Sequence, residues 1–113
     1  MTESERLDRV FHALSDSTRR AILASLAKKE ECTISEIVAP FQMTFAAASK
    51  HIRVLEQAGL IRREIDGRIH RCSADFESLK PVSEFVEKYK KFWGKQLDAL
   101  DKYLKKQRRS DES

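Results

Sequence analysis

Glycine, proline, cysteine and long apolar runs are all scarce in this sequence. Its 113 residues include three glycines, two prolines and two cysteines, and no apolar stretch approaches the roughly 18 residues that span a membrane. Two cysteines far apart in the chain provide neither a disulfide framework nor a zinc knuckle. The chain also has no glycine-rich phosphate loop and no His-Glu-x-x-His motif. We therefore expect a protein that is not an enzyme and that uses no metal and no cofactor.

The composition is that of a soluble globular protein. Hydrophobic residues make up 41% and charged residues 35% of the chain, which suits a single domain with a small core over residues 1–113. The first residues are charged rather than apolar, unlike a secretion signal. We therefore expect a cytoplasmic protein that does not associate with a membrane.

The excess of basic over acidic residues is largest in the middle of the chain. Residues 44–73 carry six basic and three acidic groups, whereas residues 1–43 carry six and seven, and residues 74–113 carry ten and eight. A local excess of Lys and Arg is what contact with a phosphate backbone requires. A solvated basic face gives the same pattern, so charge alone leaves both interpretations open.

Helical periodicity dominates the first part of the chain. Apolar spacings of three and four predict a first helix from Glu5 to Leu14, with one apolar face made by Leu7, Val10, Phe11 and Leu14. Asp16 offers an N-cap for a second helix. The predicted inner face of that helix consists of Ile22, Leu23, Leu26 and Ala27. Two amphipathic helices are therefore expected before residue 30.

A helix-turn-helix is predicted at about residues 33–58. A short helix, with Thr33 or Ser35 as its cap, has an apolar face made by Ile34, Ile37, Val38 and Phe41. Thr44 then provides an N-cap for a longer helix, and Gly59 supplies the left-handed residue that ends it. Two helices joined by a tight turn are the result.

The longer helix of this pair has two different faces. The predicted inward side consists of Ala47, Ala48, His51, Ile52, Val54, Leu55 and Ala58. The predicted outward side consists of Phe45, Ala46, Ser49, Lys50 and Arg53. Small residues let a helix sit deep in a major groove, while Ser, Lys and Arg supply donors to phosphates and base edges. An ordinary solvated helix face is the alternative.

A β-hairpin is predicted at about residues 60–73. Two segments rich in β-branched residues flank Asp66-Gly67, a pair favoured in two-residue hairpin turns. Four arginines lie on this hairpin: Arg62, Arg63, Arg68 and Arg71. A helix, a tight turn, a helix and a hairpin in this order define a winged helix-turn-helix. The predicted fold class is therefore mainly α, with five helices and a small β-hairpin.

The last predicted helix, at about residues 81–106, has a long apolar stripe. Its residues are Val82, Phe85, Val86, Tyr89, Phe92, Trp93, Leu97, Leu100 and Leu104. Such a helix is about 40 Å long, whereas a compact chain of this size has a radius of gyration of about 13 Å. We therefore expect part of the stripe to contact a partner chain. The alternatives are a helix that folds back as core and an effector pocket lined by Tyr89, Phe92 and Trp93.

Three segments resemble the ArsR family, the arsenic-resistance-type bacterial repressors. Residues 41–61, FQMTFAAASKHIRVLEQAGLI, are similar to the recognition-helix signature of that family. Residues 11–23, FHALSDSTRRAIL, resemble its opening helices, and the Asp66-Gly67 hairpin resembles its wing. The resemblance covers roughly residues 5 to 105 and is carried by the combination of these motifs.

The resemblance implies a homodimer on double-stranded DNA, with an inverted-repeat operator. It assigns base reading to Thr44, Phe45, Ala46, Ser49 and Lys50, and phosphate contacts to Arg53, Arg63, Arg68 and Arg71. His51 matches a common family residue, for which half-buried packing is an equal alternative. The first and last helices would form the dimer interface through Leu7, Val10, Phe11, Phe85, Tyr89, Phe92, Trp93, Leu97 and Leu100.

The chain departs from the metal-sensing members of the family. Thr33 and Ser35 stand at the positions of their paired thiolates, and Cys32 is out of register. The last helix contains neither His nor Cys, so the second common sensing site is missing as well. A member without those metal sites is expected. The two thiols, Cys32 and Cys72, are interpreted as reduced and structural, with a redox switch as the alternative.

The sequence thus predicts a sequence-specific regulator of transcription that represses as a homodimer. The alternative is a winged helix used for protein interaction or RNA binding, since one fold serves all three uses. The operator, the regulated genes and the effector are not encoded in any pattern found in the sequence.

Overall fold

The structure, a computed structural model, describes residues 1–112 and the side chains of residues 1–109. The chain divides into two compact units, residues 1–82 and the residues from Ser83 onward. Over the described residues the elements are five α-helices, one short 3-10 helix and three strands. The predicted fold class, a mainly α winged helix-turn-helix with five helices, is confirmed.

The first two helices begin where their capping residues predict. They are α1 (Glu3–Leu14) and α2 (Ser17–Lys28). Asp16 accepts a hydrogen bond from the backbone N–H of Arg19 at 3.0 Å, which satisfies one of the donors that a helix start leaves unpaired. The predicted inner face of α2 is buried except at Ala27, which is exposed. Alanine is a strong helix former with little preference for either face.

The helix-turn-helix consists of α3 (Ile34–Val38) and α4 (Phe45–Gln57). Thr33 and Thr44 are the N-caps, and each accepts a backbone N–H three residues ahead. Gly59 follows α4 with a φ of +79°, the left-handed conformation that glycine adopts without steric cost. The predicted tight turn between two helices is therefore present.

The sheet has one strand more than the sequence predicts. Its strands are β1 (Cys32–Thr33), β2 (Ile61–Asp66) and β3 (Ile69–Ala74), antiparallel in the order β1-β3-β2. The strand β1 is two residues long, too short to show an alternation of apolar and polar residues. It pairs Cys32 with Cys72 and so joins the hairpin to the start of α3.

The hairpin turn lies one residue later than predicted. Asp66 pairs with Ile69 across the hairpin, so the two turn residues are Gly67 and Arg68 rather than Asp66 and Gly67. Gly67 has a φ of +62°, while no other residue type in the described chain has a positive φ. Glycine first, followed by a residue of negative φ, suits a type II′ turn. The change places Arg68 at the tip of the wing.

The core of residues 1–82 is apolar. Among the described residues no polar or charged side chain is buried. The buried residues are Val10, Ala13, Ile22, Leu23, Leu26, Cys32, Ile34, Ile37, Ala48, Ile52, Leu55, Leu60, Ile61 and Cys72. The first four α-helices and all three strands contribute, which fixes the orientation of α4 and of the hairpin.

The last helix, α5 (Lys80–Glu112), is longer than the predicted 81–106. It follows a 3-10 helix at Phe76–Leu79. No glycine or proline follows Leu104 to end it, and Lys, Gln and Arg are good helix formers. At 1.5 Å per residue its 33 residues extend about 50 Å. No described helix is long and apolar enough to cross a membrane.

Candidate nucleic-acid interface

The helix α4 presents one buried and one exposed face. Ala48, Ile52 and Leu55 are fully covered by the core, which confirms the predicted inward side at these positions. The predicted outward set divides into the exposed Phe45, Ala46, Lys50 and Arg53 and the half-buried Ser49. The exposed face of α4 therefore begins with an apolar ring and continues with small, polar and cationic side chains.

The start of α4 is fixed by its cap. The Thr44 hydroxyl oxygen accepts the backbone N–H of Ala47 at 3.1 Å. Phe45 is therefore the first helical residue, and its ring remains 57% exposed. Thr44 itself is exposed. In a helix-turn-helix the N-terminal residues of the second helix are those that meet base edges.

The wing and the start of α4 enclose a common hollow of about 370 Å³. The wing contributes Arg68, Ile69, His70 and Arg71, and α4 contributes Phe45. Residues at the start of α3 complete it: Thr33, Ile34, Ser35 and Glu36. The structure thus brings the predicted base-reading end of α4 next to the predicted phosphate-contacting wing.

The arginines of the wing differ in their availability. Arg68, in the turn, is exposed, whereas the Nε atom of Arg71 lies 3.5 Å from a carboxylate oxygen of Glu31 with both side chains about half exposed. The side chain of Arg63 is only 17% exposed, and its Nε atom lies 3.2 Å from Oε2 of Glu56 on α4. Arg63 therefore joins the hairpin to α4 and has little surface left for a phosphate, unlike its predicted role.

His51 lies apart from the outward face. Its Nδ1 atom is 3.5 Å from Nη1 of Arg19 and 3.9 Å from a carboxylate oxygen of Asp16. The side chain is 26% exposed. These contacts direct His51 toward the beginning of α2, in agreement with the packing alternative for this residue.

Arg19 is a positioning residue that the sequence patterns miss. Its guanidinium donates hydrogen bonds to the carbonyl oxygens of Ala13 at 2.8 Å and His12 at 3.0 Å. Together with the contact to His51, these bonds connect the end of α1 to α4. The signal was the Asp16 cap, because a residue three positions after an N-cap lies in the first turn, close to the end of the preceding helix.

The predicted dimer residues on α1 differ in how much of each side chain is exposed. Phe11 is 40% exposed and Leu7 is half-buried, but Val10 is only 2% exposed. Val10 belongs to the core of its own chain, so it has no surface left for a partner. The helical period places Leu7, Val10 and Phe11 on one face but does not show which of them the core already covers.

The predicted dimer residues on α5 all keep exposed surface. Described by itself, this helix has an apolar stripe whose members are between 39% and 61% exposed: Phe85, Val86, Tyr89, Phe92, Trp93, Leu97, Leu100, Tyr103 and Leu104. The rings of Phe92 and Trp93 contact each other edge to face at 5.7 Å. The stripe is therefore available to another chain.

The two thiols belong to the core. Cys32 and Cys72 face each other across β1 and β3, and both are free and buried. Burial raises the pKa of the Cys72 thiol, so that it remains protonated and poorly nucleophilic. Among the described residues no group of three or more His, Cys, Asp and Glu side chains could hold a metal ion.

Sequence comparisons agree with this geometry. The family model of a helix-turn-helix domain matches residues 14–64. An uncharacterized HTH-type transcriptional regulator, YuzN of Bacillus subtilis (strain 168), is 37% identical over 79 residues, which cover 65% of this chain and 86% of the relative. The similarity therefore extends over most of that regulator.

Two solved structures add the fold. The crystal structure of an ArsR family transcriptional regulator is 35% identical, with a TM-score of 0.76, and the match covers 80% of this chain and 93% of the other. The solution structure of a homodimeric winged helix-turn-helix DNA-binding domain from Mycobacterium bovis, a possible ArsR-family regulator, is 24% identical. Its TM-score is 0.61, and the match covers 74% of this chain and 76% of that chain.

Proposed function

The chain belongs to the ArsR family of DNA-binding winged helix-turn-helix transcriptional regulators, and we propose that it is a repressor that binds an inverted-repeat operator as a homodimer. The family consists of transcriptional regulators, which confirms the expectation that the chain is not an enzyme. The proposed place of action is the cytoplasm, and the whole chain, residues 1–113, is proposed to act as one functional unit.

The observation that carries the proposal is the exposed first half of α4 beside a cationic wing tip. Lys50 and Arg53 are exposed on α4, and Arg68 is exposed in the hairpin turn. The small side chains of Ala46 and Ser49 permit close approach to a groove. Lys50 is proposed to reach a base edge there, while Arg53 and Arg68 are proposed to contact the flanking phosphates. Arg71 contributes in part, because Glu31 neutralises some of its charge. Arg63 is omitted from this set.

The homodimer is supported by the exposed apolar stripe of α5. Exposed apolar patches larger than a few hundred square ångströms are rare on monomers and usually mark interaction sites. The proposed interface comprises Leu7, Phe11, Phe85, Tyr89, Phe92, Trp93, Leu97 and Leu100. The structurally similar protein from Mycobacterium bovis is homodimeric, which supports a homodimer here without identifying its interface. Val10 is left out, since its own chain already covers it.

A two-fold dimer determines the form of the operator. Two copies of α4 related by a dyad read the same bases in opposite orientations, so the operator is proposed to be an inverted repeat. The half-sites are then about one helical turn apart, or a small multiple of that spacing. Occupation of a promoter by such a dimer would exclude RNA polymerase, which is the proposed mechanism of repression.

The test is a fluorescence-anisotropy titration with DNA from upstream of the protein's own gene and with a scrambled duplex of the same length. We expect tight binding to the upstream duplex alone, at low and at physiological salt. Equal and salt-sensitive binding to both duplexes would contradict sequence specificity at this DNA. Absence of binding to either would favour the protein-interaction or RNA-binding alternative.

Single substitutions test the assignment of the contacts. Lys50→Ala and Arg68→Ala are expected to weaken binding without unfolding the protein. Arg68→Ala should lower the dependence of log K on log salt by about one unit, because one phosphate contact is lost, whereas Lys50→Ala should relax the preference for one base pair. Arg62→Ala is the matched control, since Arg62 is exposed but lies 3.0 Å from Asp75 at the base of the hairpin. Wild-type affinity in both test variants would show that the contacts are wrongly assigned.

A further inference from the structure

The exposed face of α4 contains an unusual set of base-reading groups. From Thr44 to Arg53 the sequence has no Asn, Gln, Asp or Glu. Asn and Gln are the side chains that pair with adenine in the major groove, and Asp and Glu are those that accept from cytosine. Lys50 and Arg53 suit guanine or phosphate, and the Ser49 hydroxyl can bond to a base edge without selecting one base. From Thr44 to Arg53, adenine and cytosine therefore lack the amide and carboxylate side chains that select them.

Apolar groups occupy the end of α4 that enters the groove. Phe45 is the first helical residue, its ring is 57% exposed, and the neighbouring Ala46 is also exposed. The Phe45 ring is more exposed than the rings of Phe11 and Phe76, at 40% and 46%, and so contributes little to folding. Phe and Ala are the side chains that contact the 5-methyl group of thymine.

We infer that Phe45 and Ala46 recognise the 5-methyl groups of thymines in each operator half-site. The cap at Thr44 fixes the first turn of α4, so the ring and the Ala46 methyl project from a rigid end of the helix. Ala46 is small enough for α4 to approach the thymine edge closely. The hollow beside Phe45 leaves the ring uncovered on the side of the wing. Thymine thus becomes the base that this surface selects without a hydrogen bond.

This inference rests on the proposed function. Replacement of thymine by deoxyuridine tests the inference separately from that function. The experiment first selects bound duplexes from a random-sequence library with the wild-type protein. Each thymine of the selected site is then replaced singly by deoxyuridine, which removes only the 5-methyl group. We expect one or two positions in each half-site where the affinity falls about fourfold, the effect of one buried methyl group.

The variants assign the effect to the side chain. Phe45→Ala should bind the thymine and deoxyuridine duplexes equally at one of those positions, and Phe45→Leu should restore part of the difference. Phe76→Ala is the matched control, because Phe76 is 46% exposed but lies on the 3-10 helix, whose Ser78 contacts Gly59 at the C-terminal end of α4, whereas Phe45 begins that helix. It should retain the wild-type preference.

The other outcomes overturn the inference in distinguishable ways. A selected site that binds equally well with thymine and with deoxyuridine overturns the inference and leaves the proposed function intact. A thymine preference that persists in Phe45→Ala shows that another group reads the methyl. Failure of the wild-type protein to select any sequence overturns both the inference and the proposed function.

Discussion

The helices of residues 1–82 and the helix α5 have the same apolar spacing, but it marks buried side chains in the first unit and exposed ones in α5. In the first unit Ile22, Ile52 and Leu55 are fully buried. In α5 Phe92 is 60% and Leu97 is 61% exposed. Both sets repeat at spacings of three and four residues, so the pattern alone does not distinguish them. What distinguishes them is whether the same chain supplies the covering surface.

The difference indicates where each unit obtains its stability. A side chain covered by its own chain stabilises the fold at any protein concentration. A side chain covered by a second copy contributes only when the dimer forms, so that its contribution depends on concentration. The dependence of stability on protein concentration therefore distinguishes the proposed contribution of α5 from that of the core of residues 1–82.

The largest expected effect is that of Leu55→Ala in the core. We expect the free energy of unfolding to fall by about 2–5 kcal/mol, because a buried Leu loses both its transfer energy and its packing. The loss should be the same at two protein concentrations in a denaturant titration. Leu97→Ala is the control on α5, and its effect should shrink as the protein is diluted. Equal losses for both variants in dilute protein would contradict the distinction.

The next effect is that of Phe92→Glu combined with Leu97→Glu. Burial of each side chain is worth about 1.5–3 kcal/mol, so we expect the dissociation constant of the dimer to rise at least about 100-fold. Sedimentation analysis measures it, and operator affinity should fall in parallel. Lys95→Glu, placed by helical geometry on the opposite side of α5, should leave the dimer intact. A stable dimer in the double variant would show that the stripe is not the interface.

The elements that depend on a few neighbouring residues were predictable from the sequence. Asp16, Thr44 and Gly59 act through hydrogen bonds or torsions within about one turn of the chain, and each marks a helix end where the sequence predicts one. The strand β1 was not predictable, because its two residues are defined only by pairing with β3, some 40 residues later. Long-range pairing leaves no local period in such a short segment.

The candidate interface was likewise predictable only in part. The period of α4 separates Lys50 and Arg53 from the core side without reference to any other element. Arg63 and Arg68, however, have the same formal charge and lie in the same hairpin. Only the position of Glu56 on α4 shows that Arg63 is already paired. A sequence supplies the charges, whereas the packing of separate elements decides which of them remain available.

Substitution of glycine should also have different effects on stability in residues 1–82 and in α5, and these effects are smaller. At Gly59 an added Cβ would lie 2.6 Å from Oγ of Ser78, in a backbone with a φ of +79°. We expect Gly59→Ala to cost more than about 1–2 kcal/mol, the penalty of the left-handed conformation alone. Gly67→Ala, at a φ of +62° in open space, should cost only that penalty. In α5, Gly94→Ala should stabilise the helix by up to about 1 kcal/mol.

Thermal unfolding of the three variants measures this order. In a Ser78→Ala background the loss of stability caused by Gly59→Ala should approach the loss caused by Gly67→Ala. The reason is that the side chain at position 78, which the new methyl group contacts, is then shorter. The Ser78 hydroxyl also donates a hydrogen bond to the Gly59 carbonyl at 2.8 Å, so Ser78→Ala alone serves as the reference. An unchanged cost in that background would mean that the contact with Ser78 is not its cause.

The smallest expected effect is a loss of stability in acid that originates in the first unit. The backbone hydrogen bond from Arg19 lowers the pKa of Asp16, and the charges of Arg19 and His51 lower it further. Because the folded pKa is below the ordinary value, the stabilisation is complete above that ordinary value and is lost as the pH falls through the folded pKa. Asp16→Asn keeps an N-cap but cannot ionise. We therefore expect the wild-type protein to lose stability relative to Asp16→Asn in acid, in denaturant titrations from about pH 7 to about pH 2. A difference that does not change with pH would mean that the Asp16 charge does not stabilise the junction of α1, α2 and α4.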